Sequence, residues 1–230
     1  MSKAIGKKII FLIGPPGAGK DTQINYLVKK TGFYKFITGD EGLKYIAGRM
    51  NDPLTAKQKE NYDAGLLFDP EWLTKHVQLG RTEEILESGY GGIIFSGSPR
   101  TLYEAKKLPR TLGEIVGEEN IITVVIEVSE DELRKRAQER LVCENNQNHT
   151  FSTRFTDFKI GDKCPDCGGV LGKKALDKEL DTRIQQYVSR TQPGIDFLKK
   201  NGKVVAVDGN LLPEKVKEEI ANALKKENFI

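Results

Sequence analysis

The chain has 230 residues, enough to bury one full core carrying inserted pieces. Its 36 Lys and Arg nearly balance its 33 Asp and Glu, which argues against a nucleic-acid-binding face and suits small anionic partners. The first apolar run, Ile9 to Ile13, is far short of the ~20 residues of a membrane-spanning helix, and no leader pattern is visible.

Taken in order, the predicted elements alternate. Lys8–Ile13 is an almost continuous apolar run, as expected of a strand covered on both faces. A helix over Asp21–Lys30 follows, then a weaker strand over Phe33–Ile37. Thr38 to about Pro70 is polar and helical in tone. Next come a helix over Glu71–Glu87, a strand over Gly92–Ser96, a helix over Thr101–Leu112, a strand over Ile121–Val128 and a helix over Glu130–Val142. Leu141 to Ala175 is rich in Gly, Asn, Asp and Lys and holds all three cysteines. A helix over Lys178–Lys200, a strand over Lys203–Val207 and a helix over Pro213–Lys226 close the chain. This alternation predicts an α/β fold with a parallel sheet flanked by helices. Residues 1–37, 71–140 and 176–230 are expected to form the core, with a helical insert at 38–70 and a small lid at 141–175.

Directly after the first strand stands Gly14-Pro15-Pro16-Gly17-Ala18-Gly19-Lys20-Asp21-Thr22. Strand, glycine-rich loop and helix is the context of a Walker A phosphate loop. The glycines let backbone N–H groups converge on a phosphate, and the helix N-terminus adds partial positive charge. Lys20 supplies a point charge for the β- and γ-phosphates, and Thr22 a hydroxyl near Mg²⁺. A plain Gly-rich turn does not account for the full spacing. Asp21, where this motif has Ser or Thr, is an unusual acid beside a phosphate.

The run through Thr22 and Gln23 resembles the loop of the adenylate kinase family of nucleoside monophosphate kinases, with Asp21 in place of a glycine. Thr38-Gly39-Asp40, Asp63-Ala64-Gly65-Leu66-Leu67, Ser98-Pro99-Arg100-Thr101, Arg183-Ile184 with Tyr187, Thr191 with Pro193, and Val207-Asp208-Gly209 follow that family in order. The resemblance implies a P-loop core that moves the ATP γ-phosphate to AMP. It implies catalytic roles for Lys20, Arg100, Arg136, Arg140 and Arg183. The ATP contacts would be Gly14, Gly17, Ala18, Gly19, Lys20, Asp21, Thr22, Arg136 and Phe151. The AMP contacts would be Thr38, Lys44, Leu66, Leu67, Phe68, Gly97, Arg100, Glu104, Arg140, Lys173 and Arg183. Arg136 and Arg140, four apart on the predicted helix, are expected to project from one face. A further lid arginine of the family falls near Lys173 or Lys174. Mg²⁺ with ATP is the expected cofactor, and a monomer the expected state.

Cys143, His149, Cys164 and Cys167 have the spacing Cys-x5-His-x14-Cys-x2-Cys. Two thiolates separated by two residues reach one tetrahedral ion, so a structural Zn²⁺ is expected in the lid. A metal pattern instead of a disulfide framework suits a reducing compartment, and a cytoplasmic location is expected.

Three departures stand out. Ser96 replaces the acid that the family uses near Mg²⁺, and Asp21 or Asp40 is expected to take over part of that charge. Glu104 replaces a base-reading Gln, and its acceptor-only carboxylate keeps GMP open beside AMP. Leu43 replaces an acceptor-phosphate arginine, which leaves Lys44 or Arg49. Apart from another monophosphate kinase, a non-catalytic nucleotide sensor and a general ATPase remain as alternatives.

Overall fold

The structure, a computed structural model, describes residues 4–146, 149–173 and 180–230. Strand β1 (Lys8–Ile13) leads through the phosphate loop into helix α1 (Lys20–Thr31), β2 (Tyr34–Ile37), α2 (Thr38–Ile46) and α3 (Pro53–Asp63). One continuous helical stretch follows: α4 (Pro70–Trp72), a π-helical segment (Leu73–Leu79) and α5 (Gly80–Glu87). Then come β3 (Gly92–Ser96), α6 (Leu102–Val116), β4 (Ile121–Glu127) and α7 (Glu130–Glu139). The strands β5 (Arg140–Cys143), β6 (Thr150–Ser152) and β7 (Leu171–Gly172) are followed by α8 (Leu180–Gln186), a second π segment (Tyr187–Thr191), α9 (Gln192–Asn201), β8 (Val204–Asp208) and α10 (Pro213–Lys226).

The main sheet has the order β2-β3-β1-β4-β8, with every pairing parallel. Alternation along β1 explains its apolar run. Ile9, Phe11 and Ile13 enter one buried cluster, with Phe36, Phe95 and Leu108. Ile10 and Leu12 enter the other, with Ile24, Leu27 and Ile220. Successive side chains point to opposite faces, so each face of β1 needs its own apolar cover. Strands β5, β6 and β7 form a separate antiparallel sheet, order β6-β5-β7, around Leu141, Cys143, Cys164 and Leu171.

One expectation is corrected here. The helix predicted over Glu130–Val142 ends at Glu139, and Arg140 opens β5 with extended backbone (φ −80°, ψ 131°). Pairing of Arg140 with Ser152 and of Val142 with Gly172 outweighs the local helical pattern. Arg136 and Arg140 therefore do not share a helix face. The beginning of the helix predicted from Lys178, and Lys174, lie outside the described residues.

Candidate active site

The site lies at the carboxyl ends of β1 and β3, where parallel α/β sheets open toward ligands. Gly14 leaves β1 beside β4: a Cβ there would stand 2.8 Å from the Ile126 carbonyl oxygen. Only glycine allows that approach. Helix α1 begins at Gly19, in left-handed backbone (φ 84°), and no side chain caps it. The Thr22 N–H goes to the Gly19 carbonyl oxygen and no side chain caps the turn, an arrangement that leaves the helix start to suit a phosphate. Lys20 Nζ donates to the carbonyl oxygens of Gly14 and Pro15, both at 2.8 Å. Burial first, and Arg100 next, push the Lys20 ammonium down to about 7, with Arg183 and Arg140 acting in the same direction and Asp21 opposing them. Four cations, brought from α1, the β3 end, β5 and α8, therefore share one electrostatic neighbourhood.

Arg100 follows β3 directly. Gly97 has φ 77°, and a Cβ on it would overlap the Arg100 guanidinium. A side chain at position 97 is strained by the backbone and would displace the Arg100 guanidinium. Burial lowers the Arg100 pKa, offset by Glu104, Tyr62 and Asp21. The unusual Asp21 thus stands in the field of Lys20 and Arg100. It also pushes up Asp40, whose pKa is raised mainly by burial. The two acids expected to compensate for Ser96 are near enough to interact.

At the start of α2, Thr38 Oγ1 lies 2.7 Å from Ser98 Oγ and 3.2 Å from the Ser96 carbonyl oxygen. Glu104 is buried in the first turn of α6. Its carboxylate receives Thr101 Oγ1 at 3.0 Å and Gln78 Nε2 at 2.9 Å. Thr101 also caps α6 by accepting from Glu104 N, a reciprocal arrangement of the capping-box kind. Burial raises the Glu104 pKa against the pull of these bonds and of Arg100. Gln78 belongs to no sequence motif and sits in the π segment, so periodicity gives no signal for it.

Of the two cations that could replace the missing arginine at Leu43, Lys44 pairs with Glu41 at 2.7 Å and lies in the field of Asp40. Arg49 instead stacks on the Tyr45 ring, 4.2 Å from its centroid, and donates to the Tyr45 carbonyl oxygen. Glu41 is buried and also receives Tyr34 Oη at 3.0 Å and Arg81 Nε at 3.3 Å. Leu66 is exposed, Leu67 half-buried, and Phe68 buried, stacked on Tyr62 and packed against Gly42.

Arg136 spans two supports: its Nε donates to Glu132 at 2.8 Å and its Nη2 to the Gly209 carbonyl oxygen at 2.6 Å. Glu132 also receives Arg154 from the turn after β6, at 2.6 Å, and Arg154 pairs with Glu139 at 2.7 Å. Arg154, first among these causes, holds Glu132 below the usual carboxylate range. Lys173 donates to the Gln138 carbonyl oxygen. The Phe151 ring packs edge-on against Phe158, at 5.3 Å between centroids, within the small sheet's cluster. The structure therefore places Phe151 among lid packing residues.

The ligand atoms of Cys143, His149, Cys164 and Cys167 all lie within 4.8 Å of one another. Cys143 Sγ and Cys167 Sγ are 3.3 Å apart, and Cys164 Sγ is 3.5 Å from His149 Nδ1. Tetrahedral zinc with bonds of about 2.3 Å to sulfur spaces its thiolates by roughly 3.8 Å, so the donor set fits such an ion. Among the described residues no helix is long and apolar enough to cross a membrane.

The family model described as adenylate kinase matches residues 12–203. An adenylate kinase of Methanosarcina barkeri is 35% identical over 219 residues, covering 94% of this chain and 98% of its own. One of Archaeoglobus fulgidus is 35% identical over 222 residues, covering 95% and 98%. One of Carboxydothermus hydrogenoformans is 33% identical over 222 residues, covering 94% and 99%.

Proposed function

Since the chain belongs to the adenylate kinase family of phosphotransferases, we propose that it transfers the γ-phosphate of Mg²⁺-ATP reversibly to AMP, giving two ADP. The observation that carries this reading is the convergence of Lys20, Arg100, Arg140 and Arg183 beside an uncapped phosphate loop. Phosphoryl transfer asks little covalent help of the protein; it asks for alignment and for neutralisation of charge spread over the moving group. In this reading the loop N–H groups and Lys20 hold the β- and γ-phosphates. Arg100 holds the acceptor phosphate, and Arg140 and Arg183 close around the transferred group. The acceptor oxygen is already a nucleophile, so no strong base is required.

Mg²⁺ arrives with ATP and neutralises its phosphate oxygens. With Ser96 in place of an acid, Asp21 and Asp40 supply negative charge on that side. Arg136 supports the ATP end, and the strands after Arg140 act as a lid that excludes water. Cys143, His149, Cys164 and Cys167 hold a structural Zn²⁺ there. Residues 38–70 act as the acceptor-binding insert, and the protein works as a cytoplasmic monomer.

A coupled assay tests the reading, with MgATP and AMP, GMP, CMP or UMP in turn beside a blank without acceptor. ADP formation with AMP well above the blank is expected. Turnover confined to GMP would reassign the acceptor through Glu104, which offers only acceptor atoms when ionised. Silence with all four would defeat the phosphotransferase reading.

A further inference from the structure

Gln78 has no side-chain exposure, yet it reaches two of the segments assigned to the acceptor. One of its amide protons goes to Ser98 Oγ at 2.7 Å and the other to Glu104 Oε2 at 2.9 Å. Its Oε1 accepts from Thr74 Oγ1 at 3.0 Å. The reversed amide would set its oxygen against the Glu104 carboxylate, so the orientation follows from the bonds. Because Ser98 Oγ accepts from Gln78, its own proton is directed to Thr38 Oγ1, and that of Thr38 to the Ser96 carbonyl oxygen. One amide therefore orders a chain of bonds from Glu104 across β3 to the start of α2.

Each of these side chains is at most 3% exposed. Buried polar groups are costly when unbonded, and a satisfied network holds its members in one arrangement. Thr74 and Gln78 both lie in the π segment Leu73–Leu79, which alters the angle at which this helix presents them. Helical segments of that kind are frequent at functional sites.

From this geometry we infer that Gln78 is a specificity-determining positioning residue, which aims the Glu104 carboxylate at an exocyclic amino group of the acceptor base. The inference rests on the acceptor reading of Glu104 given above. Gln78, Thr101 Oγ1 and the Arg100 backbone each occupy one lone pair of that carboxylate. The remaining lone pair accepts a hydrogen bond, so it favours a base edge that donates N–H over one that does not.

The test is calorimetric binding of AMP and of purine riboside 5′-monophosphate, which lacks the amino group, to the wild-type protein and to Gln78→Met and Thr74→Val. Thermal stability and ATP affinity are measured beside it. Wild type should prefer AMP. Gln78→Met, similar in length but without donors, should reduce that preference about tenfold while ATP affinity stays unchanged, since a bond to a charged group is lost. Thr74→Val, which frees only the amide oxygen, should reduce it about threefold. If Gln78→Met fails to fold, Thr74→Val alone decides. Unchanged preference in the folded variants, with only stability lowered, would reduce Gln78 to a packing role and overturn the inference. A wild-type protein that prefers AMP but transfers no phosphate would defeat the proposed function and leave this inference standing.

Discussion

The two ends of the candidate site are built from different materials. On the acceptor side Thr38, Ser98, Gln78 and Glu104 are at most 2% exposed and are joined by hydrogen bonds. On the lid side Arg136, Arg154, Glu132 and Glu139 are 15–30% exposed and are joined by ion pairs. Buried, satisfied bonds hold one arrangement whatever the salt, whereas exposed pairs contribute about 0.2–1 kcal/mol each and are screened. Under the proposed reaction, a site that selects its acceptor and opens and closes for ATP would be rigid at one end and exchangeable at the other.

Lys20 stands between the two ends, and removing it should have the largest effect. Lys20→Met should lower kcat roughly a hundred- to a thousandfold, as loss of a group facing transition-state charge does. In the free protein the Lys20 pKa is pushed down to about 7, so at pH 8 its amine is mostly neutral. Phosphates raise that pKa again, so ATP binding at pH 8 should take up a proton in most molecules. The uptake should shrink as pH falls below 7, where the amine is already charged, and should be absent in Lys20→Met. Calorimetry in buffers of different ionisation enthalpy reads it directly.

Disrupting the cysteine cluster is the next largest test, and it should separate the two ends. Cys164→Ser, or a strong chelator, should loosen the β5-β6-β7 sheet, expose it to protease and lower kcat by roughly 10–100-fold. AMP affinity should fall less than kcat, because of the proposed acceptor contacts only Arg140 and Lys173 border that sheet, and no member of the Gln78 network lies in it. An equal loss of AMP affinity would abolish the distinction between the ends.

The smallest effect is the most direct measure of the contrast. Arg154→Ala removes the shared partner of Glu132 and Glu139, and should change the KM for ATP about two- to fivefold, with the KM for AMP unaltered. Between 0.05 and 0.5 M salt the wild-type KM for ATP should respond more than that for AMP. Equal responses would mean that ion pairs support both ends alike.

Most of the main sheet is legible in the sequence, because strands covered on both faces read as apolar runs; Pro213–Lys226 is bounded as expected. The strand, glycine-rich loop and helix that carry Lys20 are legible as a motif. Arg140 is not legible as a strand residue, because Glu130–Val142 continues a helical pattern and only the pairing of β5 with residues 150–152 and 171–172 makes a strand there. Gln78 was missed because an extra residue in a π turn breaks the period by which buried helix positions are read. Phe151, half-buried, packs edge-on against Phe158.

The small sheet has a further consequence through its attachment. The chain passes from α7 into β5 within one residue, Glu139 to Arg140, and Lys173, just past β7, returns to the Gln138 carbonyl oxygen one residue before that passage. Entrance and exit share a doorway. Whatever is built beyond that doorway can lengthen, shorten or exchange its staple without altering the spacing of the strands beneath. The looser Cys143/His149 half is the kind of change that such an architecture absorbs.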